Sequence, residues 1–121
     1  MAGVRVIVTL NFPSPEVAEQ ALPGLVQAFR PPKQEPGAVQ YELFRSVEDP
    51  RRVVLMEHWA SRELYDQHWL KQMREQGPPD PEQTRMLNPT FEFYPHANYD
   101  LIDQIWQPLD PAQRLSTIRW A

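Results

Sequence analysis

The amino-acid sequence predicts an α+β domain whose helices pack on one antiparallel sheet. Two observations lead to this fold class. Four short runs alternate between apolar and polar residues, which is typical of strands with one buried face. Two longer runs carry apolar residues at helical spacing, and each follows a serine that can cap a helix. In chain order these elements read βαββαβ, the split βαβ arrangement of a ferredoxin-like fold.

The first strand is predicted from Val4 to Phe12, where apolar and polar residues alternate. Pro13-Ser14-Pro15 ends it and starts a helix, with the serine as N-cap and a proline at the first helical position. This helix contains a conflict at Pro23-Gly24, because proline inside a helix costs about 3 kcal/mol. We therefore expect a kink or a break there, followed by a linker from Pro31 to Pro36.

A hairpin that leads into a second helix forms the centre of the chain. Its strands are predicted from Val39 to Arg45 and from Arg52 to Trp59, on either side of a turn at Glu48-Asp49-Pro50. The helix is predicted from Arg62 to Gln76, where nearly all residues are good helix formers. A fourth strand is predicted from Leu87 to Tyr94.

Residues 1–95 are expected to form the domain, and residues 96–121 a C-terminal extension that packs on the domain or on its dimer partner. Within this extension the pattern predicts a short helix from Tyr99 to Trp106, a turn at Pro108 to Pro111 and a strand from Leu115 to Trp120. Burial of one large apolar side chain contributes roughly 1.5–3 kcal/mol. The extension carries too many such side chains to remain in water.

Both faces of the predicted sheet carry apolar residues. In the third strand, Val53, Leu55 and Trp59 share one face, whereas Val54 and Met56 share the other. Two helices can cover only one of these faces. A second copy of the chain would cover the other, so we expect a homodimer.

Composition limits the classes of partner. The net charge of the 121 residues is -4, and no basic stripe of the kind that nucleic-acid binders carry is present. No apolar run approaches the ~20 residues needed to cross a bilayer, and the N-terminal residues do not form a signal peptide pattern. The absence of cysteine excludes thiolate chemistry and is compatible with a reducing compartment. We expect a cytoplasmic protein that binds neither nucleic acid nor membrane.

Residues 37–76 resemble the antibiotic biosynthesis monooxygenase (ABM) domain family. The resemblance consists of short motifs in matching order and spacing: Pro36-Gly37, Tyr41-Glu42-Leu43, Arg45-Ser46, Asp49-Pro50, Glu57, Trp59 and, nine residues after this tryptophan, His68. The flanking pattern of strands and helices agrees over residues 4–95.

The resemblance implies a dimeric α+β barrel and, in the best-known oxygenases of the family, oxidation of a small aromatic or quinol-like molecule with dioxygen. Those oxygenases use no metal, flavin or haem. Their pocket is lined by a tryptophan at the end of the third strand and a tyrosine in the following helix, and Trp59 and Tyr65 match this pair. Some members carry an asparagine four residues before that tryptophan, where this chain has Leu55.

A cofactor is not expected. Haem-degrading members carry a helix tryptophan that would fall at or beside His68, but Trp69 is rotated by about 100° around the helix and no histidine follows in that helix. Glu57-His58 with His68 is not a recognised metal-ligand spacing, and no H-E-x-x-H motif is present. His58 and His96 are expected at the surface.

Three residues are candidates for catalysis. His68 is a candidate for the base that deprotonates a phenol or quinol, because imidazole readily exchanges a proton near neutral pH; the alternative is a partly buried structural histidine. Trp59 is either a pocket wall that stacks on a flat substrate or a residue of the core. Tyr65 either donates its hydroxyl to a substrate carbonyl or lies exposed on the helix.

Four further residues are candidates for substrate binding: Tyr41, Asn11, Trp69 and Glu57. Asn11 could reach the pocket from the first strand, or it could cap the end of that strand. Glu57 shares a strand face with Trp59, and a carboxylate on an otherwise dry face needs a partner. A hydrogen bond or ion pair at the dimer interface is the first interpretation for Glu57, and catalysis is the second.

Three functions remain open. The first is a cofactor-independent monooxygenase that acts on a small aromatic, quinol or polyketide-like substrate. The second is a non-oxidative cyclase or isomerase of the same fold that acts on a polyketide-like intermediate. The third is a dimer that binds a small molecule without chemistry.

Overall fold

The structure of the protein, a computed structural model, describes residues 3–109. Its strands are β1 (Val4–Asn11), β2 (Ala38–Arg45), β3 (Arg52–Trp59), β4 (Thr90–Pro95), β5 (Tyr99–Ile102) and β6 (Ile105–Pro108). Its helices are α1 (Pro15–Ala28), α2 (Arg62–Gln76) and α3 (Pro81–Leu87), and a 3₁₀ turn spans Pro31–Gln34. Within the described range, no helix has the length and apolar character needed to cross a bilayer.

The first four strands form one antiparallel sheet in the order β2-β3-β1-β4. Both long helices pack on the same face of this sheet. Ala18 of α1 lies in a buried cluster with Phe12 and Val53, and Tyr65 of α2 lies in a second cluster with Leu55. The arrangement confirms the α+β class and the ferredoxin-like order that the sequence predicts.

Helix α1 runs unbroken through its internal proline. Ser14 caps it, because the serine Oγ accepts a hydrogen bond from the backbone N–H of Val17 at 3.2 Å. Pro23 and Gly24 both lie on the exposed side of the helix. Pro23 has no N–H to donate to the carbonyl of Glu19, four residues earlier. This carbonyl lies on the exposed side of the helix, where water can hydrogen-bond to it. The expected break is absent for this reason.

The β2–β3 hairpin positions α2. The Asp49 carboxylate accepts a hydrogen bond from the backbone N–H of Arg51 and thereby shapes the turn. At the other end of the hairpin, Gly37 has a φ of 82°, and a Cβ at this position would collide with the side chain of Leu64. The start of β2 therefore lies directly against the first turn of α2, whose N-cap is Ser61.

The segment between α2 and β4 contains a helix that the sequence pattern does not reveal. Asp80 caps α3 by accepting a hydrogen bond from the backbone N–H of Glu82 at 3.1 Å. Leu87 is the last residue of α3 and not the first of a strand. Asn88 then adopts a left-handed conformation with a φ of 43°, so the fourth strand begins only at Thr90.

The helix predicted from Tyr99 to Trp106 is wrong, because these residues form most of the β5–β6 hairpin. Asp103 and Gln104 both have positive φ values, 52° and 68°, and connect the strands as a two-residue turn. Leu101 pairs with Trp106 across the hairpin. The turn predicted at residues 108–111 lies partly, and the strand predicted at 115–120 wholly, outside the described residues.

The sheet face opposite the helices, called here the open face, is partly apolar. Ile7, Phe44, Val54 and Met56 lie on it, as their strand pairings show. The side chain of Phe44 is 44% exposed, whereas the other three are partly buried. No helix in the described range packs on this face.

His58 and His96 are buried and not at the surface, which corrects the expectation from sequence. His58 lies on the open face of the central strand β3, paired with Arg5 on one side and Gln40 on the other. The backbone N–H of His96 donates a hydrogen bond to the carbonyl of Gly3 at 3.0 Å. This contact brings the two imidazole rings to 4.1 Å between centroids and covers His58.

Candidate functional site

A cavity of about 520 Å³ lies between the helix-covered face of the sheet and α2. The loop from Gly77 to Asp80 and helix α3 form part of its rim. The sheet and α2 contribute both apolar and polar side chains: Val8, Leu10, Tyr41, Leu55, Glu57, His68, Trp69, Gln72, Met73, Gln76 and Phe91. A cavity of this volume and character suits a small, largely apolar ligand.

His68 is the one ionisable side chain among the polar groups of α2 that line this cavity, the others being Gln72 and Gln76. Its side chain is 3% exposed, and its Nδ1 lies 3.1 and 3.2 Å from the two carboxylate oxygens of Glu35. A carboxylate can only accept a hydrogen bond, so Nδ1 carries the proton. In the neutral ring Nε2 then carries a lone pair, since the proton is on Nδ1. The ring can therefore accept a proton at Nε2.

Glu35 is a site residue that the sequence pattern does not reveal. It lies in the segment read as a proline-rich linker, and 33 residues separate it from His68. The 3₁₀ turn holds its backbone, since its N–H donates to the carbonyl of Pro32 and its own carbonyl accepts from Ala38, each at 3.1 Å. The side chain is only 14% exposed, and the Lys71 ammonium lies 3.9 Å from it.

Trp59 and Tyr65 lie behind His68. The Trp59 indole stacks on the His68 ring with 4.7 Å between centroids and an interplanar angle of 28°. Tyr65 contacts both rings, at 6.3 Å from Trp59 and 6.1 Å from His68. Neither side chain lines the cavity, and both are buried. The sequence-based alternative that Tyr65 lies exposed on the helix is therefore wrong. Their contacts fix the plane of the imidazole.

Glu57 lies on the cavity floor and not at the open face. It pairs with Tyr41 on one neighbouring strand and with Val6 on the other, so it occupies the middle of the sheet. One of its oxygens accepts a hydrogen bond from the indole Nε1–H of Trp59 at 2.8 Å. Burial raises the pKa of Glu57 to about 7; the Trp59 hydrogen bond opposes this rise and the nearby Glu35 adds to it.

Tyr41 faces the cavity beside Glu57. Its ring makes edge-to-face contacts with Phe29, Trp59 and His68, at centroid distances of 5.4, 6.3 and 5.5 Å. Burial, together with the charges of Glu57 and Glu35, raises the pKa of Tyr41 well above its ordinary value. The Tyr41 hydroxyl therefore keeps its proton at neutral pH and can act as a hydrogen-bond donor.

The two other predicted binding residues have different positions. Trp69 lines the cavity and meets Phe91 of β4 edge-to-face at 5.8 Å. Asn11 does not reach the cavity: it is exposed at the end of β1 and donates a hydrogen bond to the carbonyl of Asn88 at 3.4 Å. Among residues 3–109, no group of three or more His, Asp or Glu side chains could hold a metal ion.

The site thus combines one proton acceptor, His68, with two hydrogen-bond donors, Tyr41 and Glu57, beside the apolar side chains of the cavity. His68 Nε2 can accept a proton, and Glu35 stabilises the charge that then forms on the ring. The Tyr41 hydroxyl, and Glu57 below neutral pH, can donate hydrogen bonds to ligand oxygens. This arrangement is suited to removing a proton from an aromatic hydroxyl or an activated carbon and holding the resulting anion.

Comparisons with known proteins agree with this fold. The family model described as antibiotic biosynthesis monooxygenase matches residues 3–70. No curated protein matches significantly. A solved structure described as an antibiotic biosynthesis monooxygenase is 25% identical, with 75% of this chain and 95% of that chain covered and a TM-score of 0.59.

Two further structures show the same fold at lower identity. A conserved protein from Methanosarcina mazei Go1 is 19% identical, with 77% of this chain and 92% of that chain covered and a TM-score of 0.60. A variant of SnoaB, a cofactor-independent oxygenase from Streptomyces nogalater, is 12% identical, with coverages of 78% and 92% and a TM-score of 0.51.

Replacement of Glu57 by Gln should change how stability depends on pH. Because the folded protein binds the Glu57 proton with a pKa of about 7 against an ordinary 4.5, wild-type stability falls as the pH rises from 4.5 to 7. The full loss corresponds to roughly 3 kcal/mol. A glutamine is neutral throughout, so Glu57→Gln should gain stability relative to wild type over this range.

Urea unfolding at several pH values between 4 and 8 measures this difference. Glu63→Gln, at an exposed position in the first turn of α2, is the matched control. A difference between Glu57→Gln and wild type that stays constant with pH would contradict the buried, protonated state of Glu57.

Proposed function

Because the chain belongs to the antibiotic biosynthesis monooxygenase family, we propose that it is a cofactor-independent monooxygenase of a small aromatic or quinol-like substrate. The observation that carries this proposal is the hydrogen bond between Glu35 and His68 at the wall of an apolar cavity. A base of this kind is what the chemistry requires, because only the anion of a phenol, quinol or anthrone is electron-rich enough to reduce dioxygen directly.

The proposed reaction begins with transfer of the substrate proton to His68 Nε2, while Nδ1–H remains bonded to Glu35. The substrate anion passes an electron to dioxygen, and the two radicals combine to form a carbon–oxygen bond. The peroxide takes the proton back from His68. The remaining hydrogen on the oxygenated carbon then leaves as a proton, its bonding electrons form the carbonyl, and the O–O bond breaks, so one oxygen atom stays on the substrate and the other leaves as water. For anthrone, the balance is one dioxygen consumed, one anthraquinone formed and one water released.

Support for the oxidative reaction comes from the site and from relatives. SnoaB, which shares the fold, is a cofactor-independent oxygenase. The apolar lining of the cavity, with Val8, Leu10 and Leu55 beside the base, would keep water from the reactive anion. Where some members of the family place an asparagine, Leu55 forms apolar floor, so here the polar contacts to substrate would come from Tyr41, Glu57 and His68.

A non-oxidative cyclase or isomerase is the second candidate. It is favoured by the donors on the cavity floor, since the protonated Tyr41 and Glu57 could stabilise an enolate as well as a phenolate. A binding dimer without chemistry would need the same cavity but no proton acceptor. Oxygen uptake distinguishes the first candidate from both others.

We also propose that the protein is a homodimer in which the β5–β6 hairpin contacts the partner. One face of this hairpin is apolar along its whole length, because the cross-strand pairs Tyr99–Pro108 and Leu101–Trp106 lie on the same side. Leu101 and Trp106 are 58% and 65% exposed. The apolar part of the open face on a second copy is a surface of matching character.

Replacement of His68 by Gln should lower anthrone turnover by ~100-fold or more, since a glutamine cannot act as the base. Glu35→Gln should also lower turnover, because the imidazolium loses its carboxylate partner. Oxygen electrode traces, corrected for spontaneous oxidation, and chromatography of anthraquinone provide the rates. A second substrate, 1,4-dihydroxynaphthalene, covers the quinol class.

Glu63→Gln is again the matched control, because this exposed carboxylate on α2 does not line the cavity. Its turnover should equal that of the wild type. Oxygen uptake by the wild type no faster than the spontaneous rate with both substrates would contradict the oxygenase. Wild-type turnover in folded His68→Gln would remove His68 from the mechanism.

The dimer proposal predicts a mass of twice the 14.2 kDa chain in sedimentation velocity at micromolar concentration. The double substitution Leu101→Glu and Trp106→Glu places charges on the apolar face of the hairpin and should shift the protein toward the monomer. Ile102→Glu with Ile105→Glu, on the opposite face of the same hairpin, is the control and should leave the dimer intact. A monomeric wild type, or equal dissociation in both variants, would contradict the proposal.

A further inference from the structure

Glu57 is a buried carboxyl group that the proposed proton transfer does not use. It is 3% exposed, at the centre of the sheet, and it forms part of the cavity floor. One oxygen, Oε1, accepts the Trp59 indole N–H. The other oxygen, Oε2, forms no hydrogen bond with the residues that the structure describes. A ligand in the cavity can therefore reach a carboxyl oxygen that no described side chain occupies.

The surroundings of Glu57 do not favour a charge. No Lys or Arg side chain in residues 3–109 forms an ion pair with it. The titratable groups that face it are Tyr41 from β2, Tyr65 and His68 from α2, and Glu35 from the segment after the 3₁₀ turn. β1 contributes the apolar Val6 and Val8. Burial and the negative Glu35 raise the pKa of Glu57 to about 7, so the group keeps its proton below that pH.

We propose that Glu57 binds a carbonyl oxygen of the ligand by donating a hydrogen bond from its protonated carboxyl group. The cavity would then be specific for aromatic molecules that carry a ketone or quinone carbonyl, held on the floor by Glu57 while the reacting position faces His68. This proposal rests on the proposed function only in taking the cavity as the ligand site. It assigns Glu57 to ligand binding and not to an ion pair at the dimer interface.

The proposal implies that carbonyl binding depends on pH with a definite sign. Below about pH 7, the raised pKa of Glu57 keeps the group protonated and able to donate. Above that pH the carboxylate can only accept, and it repels the lone pairs of a carbonyl oxygen. A ligand that does not titrate should therefore bind more tightly at pH 5.5 than at pH 8.5.

The test compares 1-tetralone with tetralin, which has the same two-ring skeleton without the carbonyl. Neither molecule titrates or turns over, so the measurement does not depend on the proposed reaction. Calorimetry or ligand-observed NMR gives both dissociation constants, and their ratio isolates the contribution of the carbonyl. In the wild type the preference for tetralone should fall about five- to tenfold between pH 5.5 and pH 8.5, the effect of one hydrogen bond.

Two variants assign this effect to Glu57. Glu57→Gln keeps an acceptor for the Trp59 N–H and an amide donor at every pH, so it should retain the tetralone preference without the pH dependence. Glu57→Leu should have a lower preference that does not change with pH, because the Tyr41 hydroxyl is then the remaining donor on the floor. His68→Gln should keep the wild-type pH dependence, which excludes titration of His68 as the cause.

Several results would overturn the proposal. One is a wild-type preference for tetralone that does not change with pH. Another is an unchanged pH dependence in Glu57→Gln, or an unchanged preference in Glu57→Leu. Failure of tetralone to bind at any pH would also contradict the proposal that the cavity floor binds a ligand carbonyl. Circular dichroism and thermal melts of each variant show that the compared proteins are folded.

Discussion

The hydrogen bond between Glu35 and His68 connects three parts of the chain on which the site depends. Glu35 follows the 3₁₀ turn after α1, His68 lies in the middle of α2, and both border the sheet that the β2–β3 hairpin builds. A buried imidazole without a partner would destabilise the helix–sheet contact. The carboxylate removes this cost and, by accepting from Nδ1, also determines which ring nitrogen is available to a ligand. Folding and chemistry therefore depend on the same contact.

Two carboxyl groups near the cavity have different environments. Glu35 lies at the edge, partly exposed, with an imidazole N–H and the Lys71 ammonium beside it. Glu57 lies on the sheet floor with only an indole N–H as a described hydrogen-bond partner, and burial raises its pKa to about 7. A site with one carboxylate that stabilises positive charge and one carboxyl that can donate provides both a base and an acid near neutral pH.

Local patterns in the sequence predict the elements that local physics determines. Alternation gave the four sheet strands, and Ser14 and Ser61 marked the helix starts, because caps and strand faces depend on neighbouring residues. His68, Tyr41, Trp69 and Glu57 could be proposed as site residues because the hairpin and the following helix hold the densest group of chemically capable side chains in the sequence. The family resemblance, which rests on the order and spacing of short motifs, independently implied the same α+β fold.

Contacts between residues far apart in the sequence could not be predicted from local patterns. No local pattern connects Glu35 with His68, or His58 with His96, since these pairs meet only when the sheet and its C-terminal segment assemble. The two consecutive left-handed residues Asp103 and Gln104, neither of them glycine, are also an unusual turn signal, so the hairpin was mistaken for a helix.

The tautomer of His68 tests the central claim most directly. Long-range ¹H–¹⁵N correlation spectra of ¹⁵N-labelled protein distinguish protonated from unprotonated ring nitrogens, and His68→Gln identifies the signals among the three histidines. The Glu35 contact predicts, for the neutral ring, a protonated Nδ1 and an unprotonated Nε2. A neutral His68 ring with its proton on Nε2 would have no lone pair there to accept the substrate proton, which would contradict the account.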